Sequence, residues 1–135
     1  MIVLDCSAAL AIAQNTEAGR AFRKLIEPQE LLAAPSLFTA EAANAAWKYV
    51  HAGIHSAEHA REMMRNALAL VDRFIPMEDL VEEAFAAAAQ LDCSVYDMAY
   101  LVLARRNAAT LMTCDKKLQQ ACISAMVPCV ESVAF

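Results

Sequence analysis

The sequence predicts an α/β fold, a three-layer α/β/α sandwich around a central, mainly parallel sheet of about five strands. Short runs rich in leucine and β-branched residues alternate along the chain with longer segments of helical periodicity. Strands joined by helices form parallel sheets through right-handed crossovers, and the helices then cover both faces of the sheet. At 135 residues the chain has room for one domain, so we expect a single domain over 1–135.

The predicted elements follow from local composition. The segments with strand character are 2–4, 31–34, 73–77, 110–113 and 127–130. The segments with helical character begin near residue 7 and then cover 16–27, 40–50, 56–72, 80–91, a stretch from 94 or 95, and 116–122. Ser7, Thr16 and Ser56 are predicted helix caps, Pro28 ends the second helix, and Gly53 marks a turn between two helices that form an antiparallel hairpin.

Composition excludes several classes of protein. Hydrophobic residues make up 59% of the chain, and the sequence contains only 2 Gly and 4 Pro, which argues against disorder. No apolar run reaches the ~18 residues that span a bilayer, and Asp5 lies too near Met1 for a secretory leader, so we expect a cytoplasmic protein. The 5 cysteines form no Cys-x-x-Cys pair, which argues against a disulfide framework and a structural zinc site.

The net charge of −5 is unusual for a protein that binds nucleic acid, because such proteins normally carry a basic surface. Four of the acids, however, follow a pattern. Asp5 and Asp115 each lie just past a predicted strand, whereas Glu41 and Asp97 each lie in the predicted first turn of a helix. If these four surround a divalent cation, they account for most of the imbalance, and the remaining surface is free to carry basic patches.

Functional groups in parallel α/β sheets collect beyond the carboxyl ends of the strands, so all four acids can face one crevice. Carboxylates brought within about 4 to 6 Å repel one another by a few kcal/mol, and a bound dication makes the overall interaction favourable. Carboxylate oxygens with water suit Mg²⁺ or Mn²⁺. A metal held in this way lowers the pKa of water and neutralises charge in phosphodiester hydrolysis.

Four segments of the chain resemble one family. LDCSAAL, PSLFTAEAANAAWK, SVYDMAYLVLA and TCDKKL together, in this order and spacing, are similar to the PIN domain and in particular to its VapC-like toxins. The resemblance covers the whole chain. The cysteines beside two of the acids, Cys6 and Cys114, depart from the small or apolar residues expected there, and they leave sensitivity to oxidation or to softer metals open.

The resemblance implies a single PIN-like nuclease domain that cuts RNA endonucleolytically with Mg²⁺ or Mn²⁺. It also implies a homodimer and a VapB-like antitoxin that blocks the acidic groove. Asp5 and Asp97 would be the primary metal ligands and Asp115 would complete that sphere, while Glu41 would help hold metal or activate water. The remaining candidates are two hydroxyl residues that could orient a carboxylate and two lysines that could contact phosphate: Ser7, Thr113, Lys116 and Lys117.

Alternatives remain at this point. The fold could serve as a non-catalytic binding or assembly module, or as an RNA-processing nuclease outside a toxin pair. A phosphatase with an aspartyl nucleophile is a further rival, although Ser7 occupies the place where that chemistry usually has a second Asp. Trp47 and Tyr49 could stack on a base, but we expect them to pack against the helical hairpin. The sequence leaves the RNA target and the number of metal ions open.

Overall fold

The computed structural model describes residues 1–130. The strands are β1 (Ile2–Leu4), β2 (Leu32–Pro35), β3 (Arg73–Ile75), β4 (Thr110–Met112) and β5 (Cys129–Val130). The α-helices are α1 (Cys6–Ala13), α2 (Glu17–Leu25), α3 (Leu37–His51), α4 (Ala57–Ala69), α5 (Val81–Leu91), α6 (Val95–Arg106) and α7 (Lys116–Ala125), and a 3₁₀ turn covers Met77–Asp79. Within residues 1–130, no helix is long and apolar enough to cross a membrane.

The strands form one parallel sheet in the order β3-β2-β1-β4-β5. β1 lies at its centre, with Val3 opposite Ala33 of β2 on one side and opposite Leu111 of β4 on the other. The chain first moves outward from β1 to β3 and then crosses back to β4 and β5. Because crossovers between parallel strands are right-handed, this reversal puts the later helices on the opposite face of the sheet.

The helices therefore form two layers, and the predicted three-layer α/β/α architecture is confirmed. α1 packs against α2 and α4, and α3 packs against α4, which builds the layer on one face. α6 packs against α5, α7 and the central strands on the other face. The middle of α6, from Met98 to Ala104, is buried because a helix that lies over the centre of a sheet and beneath other helices has no side facing water.

Two helix starts differ from the sequence prediction. α1 begins at Cys6 with Asp5 at the N-cap position, so Ser7 lies in the first turn and does not cap the helix. α3 begins at Leu37, with one residue between it and the end of β2. Glu41 therefore lies in the second turn of this helix, whereas the sequence predicted the first turn. The predicted strand stops before Pro35, but this residue is the last of β2 and lies opposite Ile75 of β3. Thr16, Ser56 and Ser94 cap their helices by accepting hydrogen bonds from backbone N–H groups.

The contact between α1 and α2 depends on a glycine. A Cβ atom added at Gly19 would lie 2.0 Å from the carbonyl oxygen of Ala11. The missing side chain thus allows α2 to lie directly on the end of α1. This fixes the position of α1, the helix that begins beside Asp5.

Candidate active site

The strand order creates one natural crevice. β1 is the point at which the chain's path across the sheet reverses, since β2 lies on one side of it and β4 on the other. Ligands of parallel α/β sheets bind at such a reversal, beyond the carboxyl ends of the strands. Asp5 follows β1 directly, and Asp115 follows β4 by three residues and caps α7.

All four acids identified from the sequence line one pocket of about 300 Å³ at this crevice: Asp5, Glu41, Asp97 and Asp115. The first and last come from the ends of neighbouring strands, while Glu41 projects from α3 and Asp97 from the first turn of α6. Asp5 is buried, at 7% exposure. Glu41 and Asp97 are half-buried, and Asp115 is exposed at the rim.

Two hydroxyl groups hold the Asp5 carboxylate. Its Oδ2 accepts hydrogen bonds of 2.6 Å from Ser7 Oγ and of 2.6 Å from Thr113 Oγ1. The same hydroxyl oxygens accept hydrogen bonds from the loop after β4, because Cys114 N–H donates to Ser7 and Asp115 N–H donates to Thr113. Ser7 and Thr113 therefore tie the loop that carries Asp115 to the carboxylate of Asp5.

Glu41 is positioned from the opposite helical layer. Tyr100, buried in α6, donates a hydrogen bond of 2.6 Å from its hydroxyl to Glu41 Oε1. The ring of Tyr100 lies in the core among the apolar residues of this helix. Sequence reasoning missed the long-range partner of its hydroxyl, since Glu41 is 59 residues away along the chain.

Asp97 and Asp115 each lie at the start of a helix. Asp97 occupies the first turn of α6, and Asp115 Oδ1 accepts hydrogen bonds from the N–H groups of Lys117 and Leu118 at the start of α7. The partial positive charge of a helix N-terminus favours a carboxylate at both positions. The two helix starts thereby aim negative charge at the same pocket.

Burial and mutual repulsion make the pocket electrostatically strained. Burial raises the pKa of Asp5 above its ordinary value; hydrogen bonds from Ser7 and Thr113 oppose this, and the charge of Asp115 adds to it. The pKa of Glu41 is raised by burial and by the charges of Asp5 and Asp97, against the hydrogen bond from its tyrosine partner. The pKa of Asp97 is likewise raised, by burial first and then by the charges of Asp115 and Asp5.

The donor set and charge of the pocket fit a hard dication. Oxygen donors are the ligands that Mg²⁺ and Mn²⁺ prefer, and a cation would offset both the burial and the repulsion that raise the three pKa values. Within residues 1–130, no three His, Cys, Asp or Glu side chains are already arranged around a single point to hold an ion. Since each carboxylate is anchored by a different element, a dication would have to draw them closer together.

The predicted phosphate contacts lie beside this pocket. Lys116 and Lys117 are exposed in the first turn of α7. The positive charge of Lys117 is close enough to Asp97 to lower its pKa slightly against the stronger effects that raise it. The pocket lining also includes Asn44 and Lys48, which sequence reasoning missed although they lie three and seven residues after Glu41 on the same helix.

The thiols beside the acids are held in their protonated form. Burial, and then the charges of Glu41 and Asp5, raises the pKa of Cys6 to about 12. Burial and the charge of Asp5 also raise the pKa of Cys114. Because the thiolate is the reactive species, both residues are poor nucleophiles at neutral pH.

Comparison with known families agrees with this arrangement. The family model described as the PIN domain matches residues 2–123, which is most of the chain. The chain therefore belongs to the PIN domain family, as its sequence motifs predicted.

Its relatives in that family include two proteins named as ribonucleases. The chain is 32% identical over 120 residues to ribonuclease VapC12 of Mycobacterium tuberculosis, a match that covers 89% of this chain and 91% of that protein. It is 27% identical over 124 residues to ribonuclease VapC3 of Pyrobaculum aerophilum, with 88% and 92% covered. Its fold is similar to the crystal structure of PAE2754 from Pyrobaculum aerophilum, with a TM-score of 0.70 at 24% identity over 89% of this chain and 84% of that one.

Proposed function

We propose that the chain is a single-domain, Mg²⁺- or Mn²⁺-dependent endoribonuclease that hydrolyses phosphodiester bonds of RNA. The observation that carries the proposal is the meeting of four acids from four elements in one pocket where the strand order reverses. Two relatives that this chain matches over about nine-tenths of its length are named ribonucleases, which supports RNA as the substrate.

Each acid has a role that its surroundings suit. Asp5 and Asp97 would be the primary ligands of the metal, with Asp115 completing the sphere directly or through water. When bound, the metal supplies a water of lowered pKa and neutralises charge on the phosphate oxygens. Ser7 and Thr113 hold the carboxylate of Asp5 in one orientation through their 2.6 Å hydrogen bonds, so it is already placed before metal arrives.

Glu41 suits the role of proton acceptor. The pKa of Glu41 is raised, so it lies closer to neutral pH than the pKa of an ordinary glutamate. This favours proton transfer from the attacking water to the carboxylate. The hydrogen bond from Tyr100 fixes one carboxylate oxygen, Oε1. The water oxygen then forms a bond to phosphorus as the bond to the leaving oxygen breaks, and the leaving oxygen takes up a proton from solvent. Lys116 and Lys117, at the rim, would hold the backbone phosphates.

We further propose that the protein is the toxin of a VapBC-type toxin–antitoxin pair, working in the cytoplasm as a homodimer. The names of the relatives support the pairing with a VapB-like antitoxin. Support for the dimer comes from α5, where Phe85, 67% exposed, and Val81 lie one turn apart on the outer face. A role in RNA processing outside a toxin pair, or as a non-catalytic module, is the competing hypothesis.

The test is cleavage of total RNA by the purified protein with Mg²⁺, with EDTA, and with EDTA followed by excess Mg²⁺. The proposal expects cleavage that EDTA stops and Mg²⁺ restores, and it expects Asp97→Asn to abolish cleavage. Asp79→Asn is the matched control, because Asp79 is an exposed acid outside the pocket. Cleavage that survives in both Asp5→Asn and Asp97→Asn would refute the proposal, and folded protein that binds RNA without cutting it would favour the binding module.

A further inference from the structure

The acidic pocket opens into a larger groove. A second cavity, of about 590 Å³, lies between α1 and α3 and the turn that follows α3. The two cavities share part of their lining: Ser7, Leu10, Ala45 and Lys48. They therefore adjoin, and the combined depression is acidic at the end near Asp5 and mostly apolar at the other.

Lys48 lies at the junction of the two parts. It follows Glu41 by seven residues, or two turns of α3, so both side chains lie on the same face of the helix. Lys48 is exposed, and within residues 1–130 it makes no ion pair, although four carboxylates line the same pocket. Its charge therefore remains available to an anion that enters the depression.

A strand of RNA needs such a charge at this point. The phosphates on either side of the reacting bond are repelled by the acids, and a metal neutralises charge only where it is bound. Lys117 follows Asp115 by two residues in the first turn of α7, and Lys48 lines the pocket from α3. The two lysines thus lie near the acids on different helices, where each can hold a phosphate.

The apolar part of the groove has the surface that an unpaired base requires. Leu10, Ala45 and Ile54 provide apolar walls. Gln14 and Tyr49 provide polar groups that already meet each other, because Gln14 Nε2 donates a hydrogen bond of 3.3 Å to the Tyr49 hydroxyl. A base splayed from a single strand packs its face on apolar or aromatic side chains and pairs its edge with amide and hydroxyl groups.

We propose that Lys48 binds a backbone phosphate of single-stranded RNA next to the reacting bond, and that the adjoining base enters the groove between α1 and α3. This inference rests on the proposed ribonuclease function and assigns two parts of its substrate site, a phosphate contact and a base groove. Lys48 is here a residue that positions the substrate, with no part in proton transfer or metal binding.

The experiment measures binding of a fluorescent single-stranded oligoribonucleotide at several salt concentrations, in an Asp97→Asn background so that cleavage does not interfere. Lys48→Ala is expected to raise Kd about five- to tenfold and to lower the salt slope by about 0.7, the contribution of one phosphate contact on a single strand. Lys48→Arg should retain most of the affinity. Lys24→Ala is the control, since this exposed lysine of α2 lines neither cavity.

The proposed binding of a base in the groove is tested with Ile54→Ser. Ile54 is 62% exposed, so the substitution leaves the core intact. It should weaken binding of the normal strand but not of one with abasic positions. With the catalytically intact protein, Lys48→Ala should raise KM and leave kcat nearly unchanged.

Unchanged Kd and salt slope in Lys48→Ala would overturn the inference even if the protein cleaves RNA. Conversely, a protein that cuts no RNA but loses single-strand affinity in Lys48→Ala would support the inference and contradict the proposed activity. A change in sedimentation on Ile54→Ser, with RNA binding intact, would overturn the inference because the groove would then be covered by a second copy of the chain.

Discussion

Replacing Asp5 by asparagine tests the electrostatic account of the pocket in the absence of metal. The amide oxygen of asparagine can still accept the hydrogen bonds from Ser7 and Thr113, so the change removes a charge and preserves the shape. The variant should therefore bind no metal at this position and yet fold as well as the wild type or better.

The size of the effect follows from opposing terms. Two like charges about 6 Å apart repel by about 3 kcal/mol at an effective dielectric of about 20, and the charge of Asp5 acts on Glu41, Asp97 and Asp115. Against this, each hydrogen bond to a charged acceptor is about 1 kcal/mol stronger than to a neutral one. One such repulsion less the two hydrogen-bond terms leaves about 1 kcal/mol in favour of removing the charge. Burial, the largest cause of the raised pKa of Asp5, acts in the same direction, so we expect Asp5→Asn to stabilise the metal-free protein by at least about 1 kcal/mol at pH 7.

The pH dependence of the free energy of unfolding tests independently whether Asp5→Asn is stabilising. A carboxyl with a raised pKa in the folded state binds more protons folded than unfolded, so the free energy of unfolding falls as pH rises from about 4 through the folded pKa. The advantage of the Asp5→Asn variant should be absent below about pH 4 and fully developed once the pH exceeds the folded pKa. Urea unfolding of wild type, Asp5→Asn and the Asp79→Asn control at low and neutral pH measures it. A loss of stability in the Asp5→Asn variant at neutral pH, or an equal difference at both pH values, would refute the reasoning.

Three further predictions concern residues around the pocket and the frame that holds it. Gly19→Ala should lower the free energy of unfolding by about 2 kcal/mol in a denaturant titration, because its Cβ would meet the Ala11 carbonyl oxygen at 2.0 Å; an unchanged midpoint would show that α2 can shift freely. Tyr100→Phe should lower cleavage about tenfold and move the acid limb of the pH–rate profile to higher pH, because the hydrogen bond that it removes lowers the pKa of Glu41; an unmoved limb would exclude Glu41 as the proton acceptor. Glu83→Gln should lower the free energy of unfolding by less than about 1 kcal/mol at low salt and leave it unchanged at about 1 M salt, because the carboxylate and its two arginine partners are partly exposed. A large loss of stability at both salt concentrations would show that these are not surface ion pairs.

Much of the fold is encoded locally, which is why it could be predicted. Short apolar runs that end in an acid or a turn indicate the strands, and capping residues such as Thr16, Ser56 and Ser94 indicate helix starts that the structure places within one residue. The order of strands and helices is then enough to predict a parallel sheet with both faces covered. The roles of the four acids remain predictions, although all four line one pocket.

The features that the sequence did not reveal depend on distant partners or on the rotation of a helix. The hydroxyl of Tyr100 reaches Glu41 because α6 packs on β1 and β2 and α3 begins just after β2. The prediction that Trp47 packs against the hairpin is wrong, because its side chain is 57% exposed and stacks on His51. The buried stripe of α3 consists of residues spaced by four, Phe38, Ala42 and Ala46, and Trp47 lies one position past it. Lys48 could have been found from the same periodicity, counted from Glu41.

The central claim is that these carboxylates form one cation site. A crystal of the protein grown with Mn²⁺, with anomalous scattering recorded for the metal, tests it most directly. We predict an anomalous peak in the pocket in contact with Asp5 and Asp97, and its loss in Asp97→Asn. Bound Mn²⁺ located away from all four acids, or no peak at saturating Mn²⁺ in crystals that leave the pocket open to solvent, would contradict the account.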